Sequence, residues 1–171
     1  RGDFEFEVAL HQLSGLGTEQ SPFIMRHIFE QLGVMDKVEF VQEHALYRLA
    51  IPNQIDITLP ASWSGIRKIL QERFPLESEN IDQFMLACEK VSVESFTTLP
   101  QAQKNNSTEL LEQFCPYFQR YGLRRAHNVL NEFFTDQTLI SIVAAYWFYS
   151  GVPPKELLFS DLAVMIYAYA I

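Results

Sequence analysis

LYRLAIPNQIDITL, residues 46–59, decides the fold. Tyr47, Leu49 and Ile51 alternate with other side chains on one arm, and Ile55, Ile57 and Leu59 do so on the other. This is the period-two pattern of strands with one buried face. Pro52-Asn53-Gln54 supplies a short polar turn between them, so the stretch reads as a β-hairpin. Outward to the N-terminal side, residues 37–41 read as a further short strand. Phe4, Phe6, Val8 and Leu10, interleaved with Asp3, Glu5 and Glu7, give another over 4–10. Between them Ser21-Pro22 reads as the start of a helix whose apolar face is Ile24, Met25, Ile28 and Leu32. Gly33 can take the left-handed conformation that stops it.

Outward to the C-terminal side, every pattern is helical. Trp63, Ile66, Leu70 and Phe74 fall at helical spacing before Pro75. A long helix follows from Ser78 with Ile81, Phe84, Met85, Cys88, Val91 and Leu99 inward. Residues 101–107 are polar and read as a loop. Leu110, Leu111, Phe114 and Phe118 resume a helix that Pro116 should kink. Leu123, Ala126, Leu130 and Phe133 mark a short one, and Thr135 or Asp136 caps a segment running to Ser150. That segment is apolar almost all round, hence expected to be buried. A last helix spans 159–170. Strands first and helices after predict the α+β class: a small, mainly antiparallel sheet, with strands near 4–10, 37–41, 46–51 and 55–59, and a helical C-terminal two-thirds.

The 171 residues suffice for one domain with a real core. A net charge of −8 excludes the usual nucleic-acid binder, since phosphate contacts need clustered Lys and Arg. The close basic pair Arg124-Arg125 is read as a solvated face. Cys88 and Cys115 have no partner spacing and read as reduced core thiols, and His11, His27, His44 and His127 lack metal-ligand spacing, so no metal is expected. No signal peptide or membrane-length apolar span is present in the sequence, which suits a cytoplasmic protein or one peripheral on a membrane surface. Fourteen Phe and seven Tyr suit either a dense core or a large apolar ligand. The chain begins at a strand and stops within an apolar helix, so it reads as a piece of a larger protein.

His11 enters a loop holding Gly15 and Gly17. This is neither a dinucleotide fingerprint, which needs three spaced glycines and a distant acid, nor a P-loop, because no Gly-Lys-Ser/Thr occurs. His11 either meets a cofactor or substrate as acid or hydrogen-bond donor, or bonds a loop carbonyl. The glycines either let a cofactor approach or simply form a turn.

Two stretches together carry a resemblance. Phe6-Glu7-Val8-Ala9-Leu10-His11 followed by Gly15-Leu16-Gly17, and Tyr149-Ser150-Gly151-Val152-Pro153-Pro154 with Phe159, Ala163 and Tyr167, resemble segments of the flavin-dependent retinol saturase, phytoene desaturase and carotenoid isomerase family. Glu7 stands where that family has Asp, and Ala9 where it has Gly. The resemblance implies a parent FAD-dependent oxidoreductase whose flavin-binding segments flank these residues. Residues 1–171 would then be its substrate-binding cap domain, holding no FAD and catalytically inert in isolation. The substrate implied is a long apolar isoprenoid or polyene. The other implied partners are the rest of the flavoprotein and a membrane surface touched peripherally. His11 is the candidate catalytic residue and Gly15 and Gly17 are candidate cofactor contacts. Phe133, Phe134, Tyr146, Trp147, Phe148 and Tyr149 are candidate substrate contacts, or else core. The alternative function is a helical lipid-binding or protein-interaction module without redox activity.

Overall fold

A computed structural model describes residues 12–104 and 108–171 of the chain. The expected strand over 4–10 and the candidate His11 lie outside them. The chain divides after Gln42 into two compact units.

In the first unit, helix α1 (Ile24–Gln31) is preceded by a closed glycine loop and ended by Gly33, whose φ is 63°. A 3-10 turn over Met35–Lys37 follows. Phe29 and Phe40 bring their rings to 5.5 Å. The strand expected over 37–41 is not formed. Val38 has extended dihedrals, but no ladder pairs it among the described residues, and Val41 is largely exposed. Alternation can set the backbone conformation of a strand, but without a neighbouring edge it makes no sheet.

The second unit is built on the hairpin β1 (Ala45–Ile51) and β2 (Ile55–Pro60). Asn53 takes φ 59° at the turn, where asparagine is tolerated better than other side chains. The antiparallel register pairs Tyr47 with Leu59, Leu49 with Ile57 and Ile51 with Ile55, and a bulge lies between Ala45 and Tyr47. All three pairs lie on the face that packs into the core. The Tyr47 hydroxyl donates to the Ile142 carbonyl at 2.5 Å, fastening that face to the helical layer.

Helix α2 (Trp63–Arg73) buries Ile66 and Leu70 and ends before Pro75. The central helix α3 (Ser78–Lys104) packs most extensively against α8 (Phe159–Ala168). It passes through Pro100 and takes in residues 101–104, which read as loop from their polarity. Gln, Ala and Lys are good helix formers, and Ala102 is buried, so the helix continues through this segment despite its polarity. Residues 105–107 lie outside the described ones. Helix α4 (Thr108–Phe114) stops before Pro116, and the chain resumes as a π-helical turn over Phe118–Gly122. Helix α5 (Ala126–Phe133) buries Ala126, Val129 and Leu130, whereas Leu123 precedes it and is exposed.

Asp136 caps α6 (Gln137–Ala144), its Oδ1 accepting from the Thr138 and Leu139 amides at 2.7 and 3.0 Å. The segment expected to run buried to Ser150 breaks after Ala145. Its last turn, α7 (Trp147–Ser150), has no buried residue, so apolar composition there does not mean burial. Gly151, at φ 70°, ends it. The core is a ring cluster around Phe84, which meets Phe133, Phe134 and Phe159 at centroid distances of 5.9, 5.1 and 6.3 Å. The α+β class expected from the sequence is therefore the class observed, with a two-stranded sheet among the described residues.

Candidate functional site

The glycine loop is a local construction. Met25 N donates to the Gly15 carbonyl at 2.9 Å, and Phe23 N to that of Leu16 at 3.2 Å. Thr18 and Ser21 close the turn with a backbone bond of 3.0 Å and a return bond to the Thr18 hydroxyl of equal length. Gly15 and Gly17 have φ of 76° and 67°. A Cβ on Gly17 would press against the Ser21 carbonyl and sit 2.7 Å from the Phe23 nitrogen. The space that glycine leaves is thus filled by the chain's own backbone. As a cradle for FAD the loop does not fit, because no room is left on that flank for a cofactor atom.

The six candidate aromatics do not share one tunnel. Phe134 is fully buried against Phe84. Tyr146 is buried in a phenol cluster, with ring centroids 5.3 Å from Tyr47, 5.9 Å from Tyr149 and 5.6 Å from Tyr169. Burial, reinforced by neighbouring phenols, pushes the Tyr47 and Tyr146 hydroxyls well above the usual phenol range. At neutral pH both hydroxyls are therefore protonated hydrogen-bonding groups. Phe133 faces one groove, and Trp147 and Phe148 line another.

The Trp147 groove is the more apolar of the two at its walls. Leu49 and Ile51 of β1 form one side, Leu130 of α5 and Ile140 and Ala144 of α6 the base. Trp147 and Phe148 close it, their rings stacked with centroids 4.0 Å apart and planes inclined by 27°. Its volume is about 330 Å³, within the range of small-molecule sites. Phe148 is 67% exposed, an unusual position for so large an apolar ring. His127, Gln137 and Ser141 add a polar margin. The His127 Nδ1 lies 3.4 Å from the Asn131 amide nitrogen.

No family model, curated protein or solved structure matches the chain.

Among the described residues no cluster of His, Cys, Asp and Glu could hold a metal ion, and no helix is long and apolar enough to cross a membrane. Cys88 and Cys115 are free and buried, as read from the sequence. Burial raises the Cys88 thiol well above its ordinary range. At Cys115 burial and the nearby Glu94 charge outweigh a hydrogen bond with Thr98. Arg124 and Arg125 are more engaged than a merely solvated face. Arg124 makes a two-pronged pair with Glu132, and Arg125 donates to the Glu156 carbonyl.

Two buried carboxylates escaped the sequence reading. Glu77 Oε1 accepts from the Thr135 amide, the Thr135 hydroxyl and the Asp136 amide at 2.8, 2.7 and 2.9 Å. Its Oε2 accepts from Asn80 at 2.7 Å. Glu94 Oε2 accepts from Phe118 N at 2.7 Å, with Oε1 3.4 Å from Tyr117 N. Both bind backbone donors distant in sequence, so no local spacing announces them.

Proposed function

We propose that these residues form the substrate-side domain of an FAD-dependent oxidoreductase acting on a long apolar isoprenoid or polyene, with the flavin held by sequence outside residues 1–171. The carrying observation is the stacked Trp147–Phe148 pair at the rim of the apolar groove. A conjugated chain is flat, apolar and polarisable, and aromatic faces bind such a surface at little conformational cost. A groove of about 330 Å³ grips one end or one segment of a long chain rather than enclosing it. The flavin would supply hydrogen or hydride exchange with the polyene. The chain's own residues orient the polyene and keep water from it. The likeness of residues 6–17 and 149–167 to the retinol saturase and carotenoid desaturase family supports the same reading. His11, in the first of those stretches, is the residue assigned to the substrate's polar end.

Titration with all-trans-retinol, followed by its own fluorescence, tests the groove. Binding should weaken about tenfold in Trp147→Ala and stay unchanged in Trp63→Phe. Retinol that fails to bind, or that binds Trp147→Ala equally well, overturns the assignment of this groove. Separately, the protein expressed with the sequence flanking residues 1 and 171 should carry flavin absorbance. Retinol binding in a flavin-free protein that FAD cannot reconstitute would instead support a lipid-binding module without redox activity.

A further inference from the structure

The second groove lies elsewhere on the same unit and shares no lining residue with the first. Pro116 and Tyr117 form one wall, Leu86 and Ala87 of α3 another, with Phe133 and Tyr121 behind. It measures about 370 Å³. Its remaining wall is the π-helical turn over Phe118–Gly122, a widening of the helix often found where a side chain is re-aimed for binding. This turn is pinned from below by the buried Glu94, which accepts the Phe118 amide at 2.7 Å. Its consequence is the placement of Arg120, whose guanidinium sits 5.1 Å above the Tyr121 ring on the groove margin.

Arg120 is the one cationic side chain among the described residues lining the groove. Among the described residues it makes no ion pair, whereas the nearby Arg124 is taken up by Glu132. We infer that this groove binds an amphiphilic monocarboxylate, an aryl- or alkyl-substituted organic acid whose carboxylate meets Arg120 and whose apolar body lies on Leu86, Tyr117 and Phe133. A guanidinium held against an aromatic ring presents a fixed fork to a planar carboxylate. A dianionic phosphate is disfavoured. There is one cation to meet it, the Glu132 carboxylate lies close enough for Arg120 to lower its pKa, and the chain carries a net charge of −8.

The test is an amide chemical-shift titration with 4-phenylbutyrate and, in parallel, the isosteric neutral probe 4-phenyl-1-butanol. The acid should bind about five- to tenfold more tightly than the alcohol, the gain expected of one exposed charge-assisted contact. Shifts should centre on residues 83–87 and 117–121. Arg120→Gln should erase the difference while leaving alcohol affinity unchanged. Leu86→Asp, at a partly exposed position on the rim, should weaken the acid far more than the alcohol. Equal binding of the two probes, a preference that survives Arg120→Gln, shifts centred elsewhere, or no binding of either probe overturns the inference.

Discussion

Replacing Glu77 tests the reasoning about buried carboxylates most directly. Glu77 is only 6% exposed, and burial by itself would raise its pKa. Hydrogen bonds from Asn80, the Thr135 hydroxyl and the Thr135 and Asp136 amides outweigh that penalty and hold it down at about 2, against 4.5 for an ordinary glutamate. A group whose pKa is depressed on folding stabilises the native state above the unfolded value and loses that contribution as pH falls through the folded one. The difference between 4.5 and about 2 corresponds to about 3 kcal/mol at neutral pH, lost between about pH 5 and pH 2. Glu77→Gln keeps an acceptor for Thr135 and Asp136 but loses the charge, and should cost about 1–2 kcal/mol at pH 7. Glu77→Ala strands the donors and should cost about 2–4 kcal/mol. Urea unfolding of wild type and Glu77→Gln across this range should show their stability gap shifting by about 3 kcal/mol as pH falls, so that it closes and then reverses in favour of the variant. Asp56 and Glu132, whose carboxyls are also held low by hydrogen bonds from Arg48 and Arg124, are common to both proteins and cancel in the comparison. A gap that stays constant from pH 7 to pH 2 refutes the account, as does a Glu77→Ala cost below about 1 kcal/mol.

Gly17→Ala should loosen the first unit's loop by more than about 2 kcal/mol, because left-handed strain adds to a backbone clash. Amide exchange at Phe23 and Met25, which bond across the loop, should then quicken about thirtyfold. Gly33→Ala, at φ 63° but with open space around it, should cost only about 1 kcal/mol. Asp136→Ala should destabilise the second unit by about 1 kcal/mol in thermal melts through loss of the α6 cap. Neither Cys88 nor Cys115 should react with an aromatic disulfide reagent at pH 8 until urea unfolds the protein, since both are fully buried and their thiols are raised by burial.

What could be read from the sequence was what local chemistry controls. The hairpin followed from alternation on both sides of a three-residue turn, and Tyr47, Leu49 and Ile51 do share the inward face. The ends of α1 and α2 followed from Gly33 and Pro75, and the start of α6 from Asp136. What escaped depends on partners far along the chain. Residues 37–41 have strand-like alternation but, among the described residues, gain no edge to pair with. Glu77 and Glu94 look like solvated helix residues until folding brings Thr135 and Phe118 to them, 58 and 24 residues away. The π-helical turn likewise has only a proline as its signal, and a proline says that a helix is disturbed without saying how.

The aromatic surplus sorts itself by the same distinction. Phe84, Phe133, Phe134, Phe159 and Tyr121 form one connected ring cluster, so their number is explained by the core they build. The phenols of Tyr47, Tyr146, Tyr149 and Tyr169 join the hairpin to the chain after α6, to α7 and to the chain after α8 through a second cluster. Packing accounts for both groups without any ligand. Phe148 is different, because removing its ring would open no core cavity, yet it is stacked on Trp147 rather than left free. A stacked pair at the margin of an apolar groove contributes little to folding and much to the face the groove presents. Phe148→Ala should therefore change stability by less than about 0.5 kcal/mol while weakening retinol binding several-fold. A variant that melts much lower, or binds retinol as before, would place this ring with the other clusters as packing alone.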